Sequence, residues 1–190
     1  MEHTRMGLHT DAVEPAVGGM ASGTRKTRQS RKKRVLLVMA ATLAIVLVAG
    51  LAWFEPWKLW INKTVNEAAP AGSVLIAQGS FVTHEHHTSG AALVLRLPDG
   101  RRVLRLDRLD TSNGPVLKVW LSDAPVRSGK AGWKVFDTGR QIDLGRLKGN
   151  KGSQNYLIPQ DANLTRLTSV TIWCDRFNVS FGAAALTATG

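Results

Sequence analysis

One cysteine in 190 residues excludes an intramolecular disulfide and the multi-cysteine frameworks that hold zinc or iron–sulfur clusters. Aromatic residues are scarce as well, at 6% of the chain with a single tyrosine, and glycine at 18 residues is too sparse for a collagen-like repeat. No nucleophile elbow, P-loop, dinucleotide fingerprint, zincin histidine pair or calcium loop occurs, so the motifs assign no autonomous enzyme. Two features are present in excess: positive charge and one long apolar run. Lys and Arg number 25 against 14 acids, and the resulting +11 divides into +5 over residues 1–60 and +6 over 61–190.

The apolar run is VLLVMAATLAIVLVAGLAWF, Val35 to Phe54, uncharged and with Thr42 as its polar interruption. About 20 helical residues span a bilayer core. Arg25, Lys26, Arg28, Arg31, Lys32, Lys33 and Arg34 precede the run, while Trp53, Phe54, Trp57 and Trp60 mark its far end. The positive-inside rule then puts the N-terminus in the cytoplasm and the aromatics at the outer interface. A cleaved signal peptide is the competing reading, since small residues surround Gly50, but 34 preceding residues are too many for a signal n-region. Beside a spanning segment the basic cluster sets orientation, so the bilayer is the expected partner and nucleic acid is not.

The sequence therefore predicts a single-pass cell-membrane protein with a disordered basic cytoplasmic tail over 1–34 and a transmembrane helix over 35–54. An interfacial segment and linker follow over 55–71, then an extracytoplasmic domain over 72–190. Within that domain the apolar period is two, not 3.6. Leu93 to Leu97 and Val103 to Leu106 flank the turn at Asp99-Gly100, and further short strands are predicted at Val74 to Ala77, Val116 to Leu121 and Gln141 to Leu144. Tyr156 to Ile158, Ser169 to Cys174 and Phe177 to Phe181 complete the set. Many short strands punctuated by Gly, Pro, Asn and Asp predict an all-β, compact β-sandwich or jelly-roll-like fold. Val170, Ile172 and Cys174 share one parity and Phe177, Val179 and Phe181 the other, so a change of register near Asp175 and Arg176, read as a β-bulge in one long strand, is expected.

Three residue sets carry candidate chemistry. His84 and His86 project to one side of an extended segment and form a weak metal pair, against which stands a solvated polar loop. Trp173 faces away from Cys174 on a regular strand, where it covers the sheet or stacks on a partner. Cys174 itself is either small core filling or a functional thiol, since an idle thiol is a liability in an oxidising compartment.

From Gly79-Ser80-Phe81 onward a series of short motifs runs in order. His87-Thr88-Ser89-Gly90, Thr111-Ser112-Asn113-Gly114-Pro115, Val119-Trp120-Leu121-Ser122, Gly152 to Pro159, Ile172-Trp173-Cys174 and Phe181-Gly182 are among them. The series resembles the DM-thirteen domain, an extracytoplasmic electron-transfer module found beside DOMON domains. The resemblance covers about residues 72 to 186 and departs from the family pattern at Leu109 and Val116. It implies that Cys174 is a redox thiol or the ligand of a prosthetic group such as haem, with Trp173 beside it in the site. It also implies an extracytoplasmic redox partner protein or a DOMON-type domain, and it implies for His87 a hydrogen-bonded structural place at the loop's start. The reading from a different class is a non-catalytic cell-surface binding or adhesion module with a structural Cys174.

Overall fold

The computed structural model describes residues 23–54 and 61–190, with side chains from Gln29 onward. Residues 1–22 of the tail expected over 1–34, and the interfacial Trp57 and Trp60, lie outside the described residues. Helix α1 spans Gly23–Phe54, so the expected disordered tail gives way to helix well before Val35. Lys, Arg and Gln are good helix formers, and once the apolar run is helical, adding residues to its end needs no new nucleus. Its Gln29–Phe54 stretch is long and apolar enough to cross a membrane, and its Val, Leu and Ile side chains are exposed rather than packed into a core.

The C-terminal part is all-β. Its strands are β1 (Thr64–Asn66), β2 (Val74–Thr83), β3 (Thr88–Arg96), β4 (Arg102–Thr111), β5 (Leu117–Ser122), β6 (Gln141–Arg146), β7 (Lys151–Ile158), β8 (Ser169–Cys174), β9 (Val179–Ala185) and β10 (Thr187–Ala188). They form one sheet in the order β1-β7-β4-β3-β2-β9-β8-β5-β6, with β10 pairing on β2. The sheet curls because β2 serves both halves: its first part pairs with β3, and Phe81 to Thr83 then pair with β9. The halves face each other across a shared core in which Val94, Leu104 and Leu106 meet Val119, Leu121, Ile172 and Phe181. The sandwich-like arrangement predicted from the sequence is thus built from a single sheet folded on itself.

Two boundaries differ from expectation. The segment read as linker contains β1, which pairs in parallel with β7 and is tied down where Lys63 N donates to Asn150 Oδ1 at 2.7 Å. The register change near Asp175 is a hairpin rather than a bulge within one strand. Asp175 to Asn178 form the turn, Asn178 takes φ 56, and Phe177, expected to face the core, is exposed at the tip. Asn tolerates the left-handed region that such turns require, which is why the turn forms without glycine. A bulge does occur farther along, at Phe181, where pairing steps from Trp173↔Ser180 to Ile172↔Gly182.

Strand β8 is buried on both faces. Val170, Ile172 and Cys174 enter the shared core, whereas Trp173 joins Trp120, Ala124, Phe136 and Ala183 in a second cluster on the other face. The connection between β5 and β6 supplies Ala124 and Phe136 and closes that second cluster. Burial on both faces explains why SVTIWC reads as a nearly continuous run of small and apolar residues.

Candidate functional site

Cys174 ends β8, opposite Leu117 of β5 and Val179 of β9. Its thiol is free and 0% exposed, and Sγ donates to the Pro115 carbonyl at 3.3 Å. Burial pushes the thiol pKa up, and the backbone N–H groups of Phe177 and Arg176 draw it partly back. The hairpin turn that caps the strand therefore supplies two donors suited to a thiolate. The resting group is nevertheless a protonated, shielded thiol.

Residues 113 to 116 form a strap over the sulfur. Asp175 N donates to Val116 O at 3.2 Å, a second tie between strap and hairpin beside the thiol's own bond to Pro115. At Gly114 a Cβ would sit 2.9 Å from Phe181 Cζ, so a larger residue would lift the strap from the core. Val116 takes φ 54, an uncommon conformation for a β-branched residue and a source of local strain. Because the strap, Leu117, Val179 and the hairpin enclose Sγ, an iron has no open approach to it. These residues do not fit a thiolate-ligated haem, and Trp173, on the opposite face of β8, cannot contact a group bound at the sulfur.

On that opposite face the histidine expectation is corrected. His84 is 5% exposed rather than solvated, with Nδ1 2.7 Å from Ser180 Oγ and its ring facing Phe136. Thr171 Oγ1 lies 2.7 Å from the same serine oxygen. Nε2 faces the Arg127 carbonyl without the alignment of a full hydrogen bond, and a side chain at Gly132 would collide with both. A serine–histidine contact suggests a nucleophile, but Ser180 is fully buried, so the chain of side chains braces the second cluster. His86 lies apart in function: its ring rests on Phe181 at 4.1 Å and its Nε2 meets Glu85. Among the described residues no group of three His, Cys, Asp or Glu side chains is arranged to hold a metal.

The family model described as Electron transfer DM13 matches residues 80–186. The chain belongs to this family. Comparison with curated proteins and comparison with solved structures each find no match. In this DM13 domain the matched span runs from the second half of β2 through β9, taking in the strap, β8 and the hairpin. The place expected for His87 is filled instead by its neighbour. His87 is exposed, while Thr88 is 2% exposed and Thr88 Oγ1 lies 2.8 Å from Thr111 Oγ1 and 3.1 Å from the Phe181 carbonyl. The buried Ser180, Thr171 and Thr88 were missed by sequence reasoning. Ser169 and Thr171 alternating with apolar residues on β8 were the available signal; Ser180 on β9 and Thr88 at the start of β3 stand alone among apolar and small neighbours and gave none.

Proposed function

We propose that this protein is a membrane-anchored, extracytoplasmic electron-transfer module whose redox group is the Cys174 thiol. The observation that carries the reading is the family match, which includes Cys174 together with the strap and hairpin that shield it. The chemistry that suits a lone, haem-free cysteine is exchange with a partner's disulfide. Cys174 as thiolate attacks one partner sulfur, the partner's S–S bond breaks, a mixed disulfide forms and the second partner sulfur leaves as thiolate. At that stage one partner sulfur is a thiolate and the other is still bonded to Cys174. A second thiol, from a thiol reductant because the chain has no second cysteine, must attack the Cys174 sulfur, so that the partner leaves as a dithiol with two more electrons and the new disulfide joins Cys174 to that reductant. Access requires the strap to part from the hairpin, breaking the bonds to Pro115 O and Val116 O.

Helix α1 supports the anchor, with the basic flank inside and the β domain outside. A DOMON-type domain or another extracytoplasmic redox protein is the partner in this reading. The test is capture of a mixed disulfide from cells acid-quenched and alkylated, followed by reduction of the adduct. A partner released from wild type and absent with Cys174→Ala is the expected result. If native Cys174 instead resists alkylation until the domain unfolds, and no adduct forms, the thiol reading fails.

A second reading has its own observation. Complete burial and a raised thiol pKa suit a structural cysteine in a cell-surface binding or adhesion module. On that reading Cys174→Ala retains full function in cells.

A further inference from the structure

A groove of about 220 Å³ opens where three segments meet: the residues leading into β1, the strap before β5, and the turn from β6 to β7. Lys63, Arg146 and Lys148 line it, and none of its ten lining residues is acidic. Lys148 Nζ is committed to Glu67 Oε1 at 2.7 Å. Among the described residues Lys63 and Arg146 make no ion pair, in contrast to Lys118, which bridges Asp143 and Asp175, and Lys151, which meets Asp110. The walls are fixed before any ligand arrives. Asn150, 1% exposed, accepts from Lys63 N and donates to Thr111 O at 2.8 Å, while Asn113 Nδ2 donates to Ile61 O at 2.9 Å.

We propose that this groove binds a phosphate-type oxyanion between Lys63 and Arg146. Cations from two separate segments, Lys63 ahead of β1 and Arg146 at the end of β6, line the same groove, and an ammonium and a guanidinium together complement a tetrahedral group bearing oxygens on every side. A planar carboxylate is satisfied by the guanidinium fork alone and gains little from the lysine. Concave walls without a carboxylate concentrate the positive potential where the anion would sit. The same group has two sources. Lys63 follows the last residue of α1 by nine positions, so the chain allows at most about 31 Å between them, within reach of lipid headgroups. A soluble phosphate ester offers identical chemistry. Neither Cys174 nor its oxidation takes part, so this site stands or falls separately from the thiol reading.

Calorimetric titration of inorganic phosphate into the full chain, in neutral maltoside micelles at low ionic strength, tests the site. One saturable site is expected, weakened at least tenfold by the Lys63→Gln/Arg146→Gln double variant and unchanged by Arg101→Gln/Lys134→Gln on other surfaces. Lys63 and Arg146 are exposed, so the double variant should melt like wild type, and Arg146→Lys should keep most of the affinity. Acetate should bind at least tenfold more weakly than phosphate. Glycerophosphoglycerol separates the sources: tighter binding than phosphate identifies a lipid headgroup, and weaker binding identifies a soluble phosphate monoester. Absence of saturable binding, equal binding of acetate, or affinity unaffected by the double variant would overturn the proposal.

Discussion

His84 shows how much one buried polar side chain can be asked to do. Its Nδ1 meets Ser180 at 2.7 Å and its ring fills space against Phe136 and Gly132. Removing the ring leaves a cavity and a serine with one partner fewer, so His84→Ala should cost about 2–3 kcal/mol in urea unfolding. His87→Ala, at an exposed position, should stay within about 0.5 kcal/mol. Burial also lowers the His84 pKa from its ordinary 6.5, the Arg127 carbonyl opposing in part. The unfolded chain therefore takes up the proton first: His84's contribution is complete above about pH 6.5 and declines as pH falls toward the folded-state pKa. Melting temperatures at pH 7.5 and 5.5 should drop more steeply for wild type than for His84→Gln. Cys174 is a different kind of residue. Its sulfur already has an acceptor in Pro115 O and donors in the turn, so Cys174→Ser keeps a partner for the hydroxyl. Both Cys174→Ser and Cys174→Ala should cost about 1 kcal/mol, and a Ser variant losing several times that would mean that the strap carbonyl is not available to it.

The strap and the β8–β9 hairpin are two turns in contact, each placing a non-glycine residue at positive φ, Val116 at 54° and Asn178 at 56°. Asn pays little for that conformation; Val, branched at Cβ, pays more. Val116→Asn should therefore stabilise the domain by up to about 1 kcal/mol, read as a shift of the denaturation midpoint without change in slope. A loss of stability would show that the Val116 side chain, not its backbone, matters. These turns also mark where sequence patterns stop being informative. Alternation and Asp99-Gly100 suffice for the β3–β4 hairpin, and the limits of β8 agree residue for residue with Ser169 to Cys174. The strand β1 has three residues and no alternation to read, because its stability comes from Asn150 and β7. Asp-Arg at the start of the β8–β9 turn carried no primed-turn signal, since the residue that makes the turn is Asn178 at its end. The second cluster was hidden for a further reason: Trp120, Phe136 and Trp173 come from separate segments, and nothing local says that the β5–β6 connection folds back over His84.

At the scale of the whole chain, charge and hydropathy act on different parts and toward one arrangement. Seven cations fall in the ten residues Arg25 to Arg34 just before the apolar run, and Lys58 and Lys63 alone follow within ten residues of its end. Transferring the N-terminal cluster across a membrane would move seven charges; transferring the β domain moves a net +6 that is dispersed and partly paired with acids, as at Arg101–Asp99 and Lys151–Asp110. Insertion responds to cations close to the span and little to distant or acid-balanced ones. The cluster should therefore stay inside and the domain cross. Proteinase K added to intact cells should remove the β domain and leave an N-terminal fragment carrying the basic segment and α1. Replacing Arg31, Lys32, Lys33 and Arg34 by Gln weakens the bias, and a fraction of molecules should then keep the domain protected. Full protection in wild type, or a mature chain that begins beyond Gly50, would contradict an uncleaved anchor with its domain outside.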